Sequence, residues 1–159
     1  MISKILEKEM VPHTRNATIR NSSNNQFGFK KDLSCINAGI LLTEALMEAK
    51  DSKKPIYLCL MDTTKAFDMV DHPNLLCSLY QQGVKNQLWH LYNSAYNDIK
   101  SVVKWQGQLS ETFEEKQGIR QGGLTSADAF ICKADPLLKK ITEHPDSFCI
   151  GHISLCAVI

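Results

Sequence analysis

The 159-residue sequence lacks any apolar run long enough to cross a membrane, and its first ten residues lack the apolar core of a secretory signal. None of its six cysteines stands in C-x-x-C spacing, which argues against a zinc site, and we expect free thiols in a reducing compartment. Neither charge is in clear excess, because 18 Lys and Arg residues nearly balance 17 Asp and Glu residues. We therefore expect an intracellular protein, in the cytoplasm or nucleus, without disulfides or a membrane anchor. Any contact with nucleic acid would be local.

The sequence does contain a regular succession of short apolar segments, and its 43% hydrophobic residues are ordinary for one globular domain. Apolar residues at helical spacing predict five helices, over residues 2–10, 34–50, 71–83, 86–96 and 126–142. Runs of β-forming residues predict four strands, over residues 56–62, 99–105, 109–113 and 148–155. Gln106-Gly107 predicts a hairpin turn between the middle two strands. Pro12 should end the first helix, and Pro136 should kink or split the last one.

Several side chains have predicted structural roles. Ser34 and Asp71 suit the N-cap positions of the second and third helices, and Gly83 suits the end of the third. The buried stripe of the second helix is predicted to comprise Ile36, Ile40, Leu41 and Ala45. The apolar face of the fourth helix, which we expect in the core rather than stacked on bases, comprises Leu88, Trp89, Leu91 and Tyr92. The cysteines expected at buried positions are Cys59 and Cys77.

The predicted strand at residues 56–62 ends on a carboxylate, Asp62, and two more carboxylates, Asp68 and Asp71, follow within nine residues. A buried strand that ends on an aspartate is one way to place a metal ligand on a rigid element. The alternative is that these aspartates only cap the next turn and helix. The spacing alone leaves both interpretations open.

Three blocks resemble segments of the reverse transcriptases of non-LTR (LINE- and jockey-type) retrotransposons. MDTTKAFDMVDH, residues 61–72, resembles motif A; QGIRQGGLTSADAF, residues 117–130, resembles motif B. NQFGFKKDLS, residues 25–34, resembles the fingers segment that precedes motif A. The resemblance implies an α+β right-hand polymerase fold, with an antiparallel palm sheet built from residues 56–62 and 148–157 and helices packed on one face. Residues 1–159 would be a partial domain, with fingers to about residue 54 and palm from about residue 55.

The resemblance also implies a chemistry, which is two-metal nucleotidyl transfer with an RNA template, a DNA primer and deoxynucleoside triphosphates. Asp62 matches the catalytic metal ligand of motif A, and the backbone carbonyl of Thr63 would be a minor ligand of Mg²⁺ or Mn²⁺. Phe67 matches the bulky residue that lies against the nucleotide sugar and excludes a 2′-hydroxyl. Its alternative role is a core aromatic.

In the block that resembles motif B, Gln121 matches the family residue near the incoming nucleotide and the template base. Arg120 beside it can bind phosphate through two hydrogen bonds, and Gly122 lets the backbone approach a ligand closely. Taken alone, this glycine-rich run would equally suit a tight surface turn. Lys30 and Lys31 are weaker candidates for the nucleic-acid backbone, because an exposed lysine pair is often only solvated. Lys65 and Asp68 also match the motif, and we assign both mainly to structural pairing or to starting a helix. Metal binding is the alternative role of Asp68.

The chain departs from the family pattern because no Asp-Asp pair follows the last predicted strand within residues 1–159, and we expect no thumb in this stretch. One motif A carboxylate cannot hold two metals, so we expect this chain to be an inactive fragment of the enzyme, from a truncated gene model or a decayed element. The alternatives are a non-enzymatic nucleic-acid-binding module that keeps the palm fold, and a remnant without function.

Overall fold

A computed structural model describes residues 2–18, 20–145, 147, 149–150 and 153–154. Within these residues the protein combines helices with short antiparallel strands, as the α+β prediction requires. The helices are α1 (Ile2–Thr18), α2 (Cys35–Asp51), α3 (His72–Gln81), α4 (Asn86–Tyr96) and α5 (Ser126–Thr142). The strands are β1 (Lys100–Ser101), β2 (Lys104–Trp105), β3 (Gln108–Leu109), β4 (Phe113–Glu114), β5 (Cys149–Ile150) and β6 (Ile153–Ser154).

The chain divides into two compact units, each made of two stretches of sequence. The first unit comprises residues 1–21 and 64–133, and the second comprises residues 22–63 and 134–159. In the described part of the chain, no helix has both the length and the apolar composition that a membrane span requires.

The first unit has a hydrophobic core that α1, α3, α4 and the start of α5 build together. Its buried members are Met10, Val70, Leu75, Leu76, Leu79, Val84, Tyr92, Tyr96, Ile119, Ala129 and Cys132. Tyr92 is completely buried, which confirms that this side of α4 belongs to the core. Leu88 and Trp89 pack against the cluster and are partly buried, whereas Leu91 is 40% exposed, so its predicted place in the core was wrong.

Helix α1 continues through Pro12 to Thr18, so the prediction that Pro12 ends it at residue 10 was wrong. Proline removes one backbone hydrogen bond of the helix, but contacts beyond that point hold the last turns. The Thr14 hydroxyl lies 2.9 Å from the Tyr92 hydroxyl, and Arg15 Nε donates to Asp128 Oδ1 at 3.0 Å. Tertiary contacts therefore outweigh the local cost of the proline.

Local signals predicted α3 well. Asp71 caps its N-terminus by accepting a hydrogen bond from the amide of Asn74 at 3.1 Å, and Pro73 lies in the first turn. Gly83, with φ of +108°, follows the helix as predicted. A side chain at Gly83 would meet the carbonyl oxygen of Ala17 at 2.6 Å, so the glycine also permits a close approach to α1.

The predicted hairpin at residues 99–113 is confirmed. Strands β2 and β3 pair antiparallel on either side of Gln106 and Gly107, whose positive φ values of 48° and 82° are typical of a two-residue type I′ turn. Farther from the turn, β1 pairs antiparallel with β4. Three residues separate β3 from β4 but only two separate β1 from β2, so the hairpin contains a one-residue bulge.

In the second unit, α2 begins after Ser34 as predicted, and the Asn37 side chain accepts from the backbone amide of Ser34 at 2.8 Å. Ala45 is buried as predicted and Leu41 is half-buried, but Ile36 is 73% exposed and Ile40 is 55% exposed, so half of the predicted stripe was wrong. The residues of α2 that are buried are small alanines: Ala38, Ala45 and Ala49. Hydrophobicity alone favoured the isoleucines, whereas the helix packs closely through its small side chains.

The predicted buried strand at residues 56–62 does not form. This segment has no ladder partner among the described residues, and Tyr57 and Leu60 are 93% and 84% exposed. An apolar run becomes a strand only when another strand satisfies its backbone groups, and this pairing is not encoded in the run itself. The proposed sheet between residues 56–62 and 148–157 is therefore absent from the described residues.

In place of one strand at residues 148–155, β5 and β6 form a short antiparallel pair, with Cys149 opposite Ser154. The predicted strand also includes Phe148, Gly151, His152 and Leu155, which lie outside the described residues. A glycine between the two strands weakens a continuous strand.

Two further predictions were wrong. Cys59 and Cys77 are exposed rather than buried. Cys59 lies in the uncovered run at residues 56–61, whereas Cys77 lies on α3 outside the buried face that Leu75 and Leu79 form. Helix α5 runs unbroken from Ser126 to Thr142, so the predicted split at Pro136 was wrong. Among the cysteines whose side chains are described, Cys35, Cys59, Cys77 and Cys132 are all free thiols.

Candidate functional site

Two of the blocks singled out in the sequence lie side by side in the first unit. The amide of Gly118 donates to the carbonyl of Val70 at 2.7 Å, and the amide of Ile119 donates to the carbonyl of Phe67 at 2.9 Å. These bonds join residues 67–70 to the start of the glycine-rich block. The two segments are 48 residues apart in the sequence, so only the tertiary fold brings them together.

A buried histidine strengthens this junction. His72 is 5% exposed, and its Nε2 lies 2.8 Å from the carbonyl oxygen of Gly118. Because a carbonyl oxygen can only accept, Nε2 carries the proton of this hydrogen bond. The imidazole also packs edge-on against Tyr96, with ring centroids 5.3 Å apart. Sequence reasoning quoted His72 within its block but gave it no role.

Gly118 itself requires a glycine. Its φ of +101° lies where side chains are strained, and an added Cβ would meet the carbonyl oxygen of Asp68 at 3.4 Å. Asp68 is exposed, and its backbone rather than its carboxylate borders the junction. The junction therefore depends on backbone geometry more than on charge.

The aromatic candidate Phe67 is half-buried and stacks on Phe130 of α5, with ring centroids 4.7 Å apart and the rings 19° from parallel. It packs against the hydrophobic core of the first unit. Phe67 therefore contributes to the core of the first unit, as its alternative role predicts. The ring is also held in a fixed orientation by its neighbour, which a residue that packs against a ligand needs.

The glycine-rich block forms a tight turn over residues 120–123. The amide of Gly123 donates to the carbonyl of Arg120 at 3.1 Å, and Gly122 has φ of +77°, which favours glycine at the third position of a type II turn. The Ser126 hydroxyl donates to the same Arg120 carbonyl at 2.7 Å. The side chains of Arg120 and Gln121 are exposed above this turn.

Helix α1 contacts the turn through two charged residues that sequence reasoning missed. Lys4 Nζ donates a hydrogen bond to the carbonyl of Gly122. Glu7 Oε2 accepts one from the amide of Leu124 at 2.6 Å. In the sequence these residues belong to an ordinary charged amphipathic helix, and no local signal marks them.

The charges near the turn also act on a buried tyrosine. Burial raises the pKa of Tyr96, and its hydrogen bond to Ser126 opposes that rise. The Glu7 carboxylate raises the same pKa further, whereas the Arg120 guanidinium lowers it. The raised pKa keeps Tyr96 neutral at neutral pH, although the charges of Glu7 and Arg120 both act on it.

Asp62 and Thr63, the residues matched to the metal ligands, belong to the second unit, and both are exposed. Across the described residues, no group of three or more His, Cys, Asp or Glu side chains is placed to hold a metal ion. The described residues therefore do not by themselves fit a two-metal centre, which needs several carboxylate ligands.

The two lysines at the start of the second unit differ in their surroundings. Lys30 is half-buried and its Nζ donates to the carbonyl of Ser23 at 2.5 Å, whereas Lys31 is exposed. Burial lowers the pKa of Lys30, and the Asp135 carboxylate opposes that change. Of the pair, Lys31 presents the more accessible charge.

Comparison with known proteins gives three related chains, all from R2 retrotransposable elements. The Retrovirus-related Pol polyprotein from type-1 retrotransposable element R2 of Nasonia vitripennis is 28% identical over 122 residues, which is 75% of this chain and 12% of that protein. The corresponding type-1 R2 polyprotein of Bradysia coprophila is 25% identical over 69% of this chain and 12% of that protein. The type-2 R2DM polyprotein of Drosophila melanogaster is 26% identical over 79% of this chain and 12% of that protein.

The chain thus spans about an eighth of the length of each of these relatives. The sequence profile described as reverse transcriptase (RNA-dependent DNA polymerase) matches residues 1–155, which is nearly the whole chain. This coverage includes both blocks that the junction at His72 and Gly118 joins. The chain therefore belongs to the reverse transcriptase (RNA-dependent DNA polymerase) family.

Proposed function

We propose that residues 1–159 form part of the fingers and palm of a retrotransposon reverse transcriptase, with fingers to about residue 54 and palm from about residue 55. In this proposal the surface around the turn at residues 120–123 binds the incoming deoxynucleotide opposite an RNA template, next to a DNA primer. The observation that carries it is the backbone pairing of residues 67–70 with Gly118 and Ile119. This pairing holds the two family blocks next to each other through backbone hydrogen bonds.

The exposed side chains of the turn suit the triphosphate and base of a nucleotide. The Arg120 guanidinium can donate two parallel hydrogen bonds to phosphate oxygens. The Gln121 amide can donate to and accept from a base edge. Gly122 has no side chain, so a ligand can approach its backbone closely.

Phe67 would select the sugar. Its ring stacks on Phe130, and its bulk would exclude a 2′-hydroxyl and favour deoxynucleotides. Lys31, and to a lesser extent Lys30, would contact the nucleic-acid backbone. Such contacts would make binding weaken with salt in proportion to the few phosphates involved.

Asp62 and the backbone carbonyl of Thr63 would supply oxygen ligands of the kind that Mg²⁺ or Mn²⁺ prefers. The two ions would stabilise the attacking and leaving oxygens of nucleotidyl transfer. Because Asp62 belongs to no group of three or more potential metal ligands among the described residues, we derive no metal-dependent step for this chain. We propose that the chain on its own binds its substrates without extending the primer.

Binding is tested with a fluorescently labelled RNA template annealed to a DNA primer, with dGTP added opposite a template cytosine. We expect the Arg120→Ala variant to bind dGTP about tenfold or more weakly, because charge-assisted hydrogen bonds contribute about 1.5–3 kcal/mol. Arg20→Ala is the matched control, since Arg20 is an exposed arginine of the same unit. Equal losses in the two variants, or no dGTP binding by the unmodified chain, would overturn the proposed role of the turn.

Primer extension with Mg²⁺ or Mn²⁺ tests the catalytic part, with Asp62→Ala beside the unmodified chain. We expect no extension from either protein. Extension that disappears in Asp62→Ala would show that other carboxylates complete the site. If the affinity for the RNA–DNA hybrid changes neither when dGTP is added nor in the Arg120→Ala variant, the non-enzymatic nucleic-acid-binding module is favoured instead.

A further inference from the structure

We propose that Glu7 and Lys4 of α1 are positioning residues, which hold the turn at residues 120–123 in the conformation that presents Arg120 and Gln121. The nucleotide as the ligand of this turn rests on the proposed function. The holding of the turn rests on contacts within the first unit alone. No family block singled out in the sequence includes either residue.

The two residues lie on one face of α1, because side chains three positions apart in a helix are neighbours. Glu7 Oε2 accepts from the Leu124 amide at 2.6 Å, and Lys4 Nζ donates to the Gly122 carbonyl. One charged group thus binds an amide and the other binds a carbonyl, and these two backbone groups flank Gly123. The match of donors to acceptors fixes the direction of both peptide units.

The position of Glu7 is also favourable electrostatically. Leu124 lies two residues before Ser126, where α5 begins, so the Glu7 carboxylate lies near the positive end of that helix dipole. The carboxylate is only half-exposed, which reduces screening by solvent. This contact therefore holds the end of the turn to the start of α5.

The turn needs such contacts because two adjacent glycines form its second half. Glycine has more backbone freedom than any other residue, and that freedom is lost when the turn is ordered. A Cβ built on Gly123 would lie 3.2 Å from the Arg120 carbonyl oxygen and 3.5 Å from Glu7 Oε2, so the space around it is already filled. If α1 orders the turn in advance, a ligand bound by Arg120 does not have to.

The test compares Glu7→Ala with Glu9→Ala, which removes a neighbouring exposed glutamate of the same helix, and measures two quantities. The first is the hydrogen-exchange rate of the Leu124 amide by NMR, and the second is the dissociation constant for dGTP on the RNA–DNA hybrid. We expect Glu7→Ala to speed the exchange about tenfold or more, as loss of a charge-assisted hydrogen bond predicts, and to weaken dGTP binding several-fold. Glu9→Ala should change neither quantity.

Two further variants keep the test decisive. Glu7→Gln retains a carbonyl acceptor and should restore part of the exchange protection, and Lys4→Met should loosen the turn while Lys8→Met does not. They also serve if Glu7→Ala fails to fold. Unchanged exchange at Leu124 in all Glu7 and Lys4 variants, or equal effects in the Glu9 and Lys8 controls, would overturn the proposal.

The two readouts separate this inference from the proposed function. If the unmodified chain binds no dGTP, the proposed function fails, while the exchange rates still decide whether α1 orders the turn. If exchange speeds up but dGTP binding stays constant, Glu7 has only a structural role and the positioning proposal is wrong.

Discussion

His72 Nε2 donates a hydrogen bond of 2.8 Å to the carbonyl oxygen of Gly118, and this bond joins two family blocks that are far apart in the sequence. The donor is a buried side chain at the start of α3, and the acceptor belongs to a glycine with φ of +101°. This contact acts on the backbone and involves no substrate. Because Gly118 lies two residues before the turn at residues 120–123, the bond helps to position that turn within the first unit.

Replacement of this histidine should destabilise the protein. We expect His72→Ala to lower the free energy of unfolding by about 2–4 kcal/mol, because it leaves the Gly118 carbonyl without this donor and opens a cavity beside Tyr96. Urea unfolding at neutral pH measures the change. His13→Ala is the control, since His13 is exposed on α1 and should cost less than about 0.5 kcal/mol. Similar losses at both positions would contradict the role assigned to His72.

The backbone at Gly118 makes a separate prediction. We expect Gly118→Ala to lower the free energy of unfolding by about 1–2 kcal/mol, because an alanine is strained at positive φ. Gly39→Ala is the opposite case, since Gly39 lies within α2 and an added Cβ would meet nothing within 4 Å. That variant should gain about 0.5–1 kcal/mol from helix propensity. Thermal and urea unfolding measure both changes. If both variants shift the free energy of unfolding in the same direction, the strain assigned to positive φ at Gly118 is contradicted.

The buried tyrosines predict a loss of stability in alkali. Burial raises the pKa of Tyr92 above its ordinary value of 10.0, and the hydrogen bond to Thr14 opposes this only in part. Above about pH 10 the unfolded chain releases the phenolic proton while the folded protein keeps it, so the free energy of unfolding should fall as pH rises further. A urea unfolding curve recorded at about every half pH unit between about pH 8 and 11 gives the free energy of unfolding as a function of pH, and therefore this slope.

Tyr92→Phe should make that slope shallower and cost about 1 kcal/mol at neutral pH, because the Thr14 hydroxyl loses one partner. Tyr57→Phe is the matched control, since Tyr57 is 93% exposed and should leave the slope unchanged. A slope that Tyr92→Phe does not alter would show that other groups cause the alkaline transition.

The exposed apolar segment at residues 56–61 predicts self-association. Leu60 is 84% exposed within an extended run without a described ladder partner, and such runs favour pairing between chains. Leu60→Lys should reduce both the binding of a dye specific for apolar surface and the apparent mass in light scattering. Leu137→Lys, which changes a single exposed leucine on α5, should have a smaller effect. If the two variants reduce self-association equally, the segment at residues 56–61 is not its cause.

Local sequence determined a good part of the fold. The cap at Asp71, the end of α3 at Gly83 and the turn at Gln106-Gly107 each follow from the conformational preference of one or two residues. The family blocks were likewise visible, because the spacing of their residues is a property of the chain itself. The continuation of α1 through Pro12 could not be predicted locally, because it depends on contacts of α1 with other helices.

What the sequence alone determined, then, was the family, the position of most helices and the candidate residues from Phe67 to Gln121. Only the tertiary structure decided that α2 buries alanines rather than isoleucines, that residues 56–62 stay exposed, and that His72, Lys4 and Glu7 surround the glycine-rich block. The reason is physical. Caps and turns depend on neighbours along the chain, whereas burial and strand pairing depend on partners that are distant in sequence, and no local pattern names those partners.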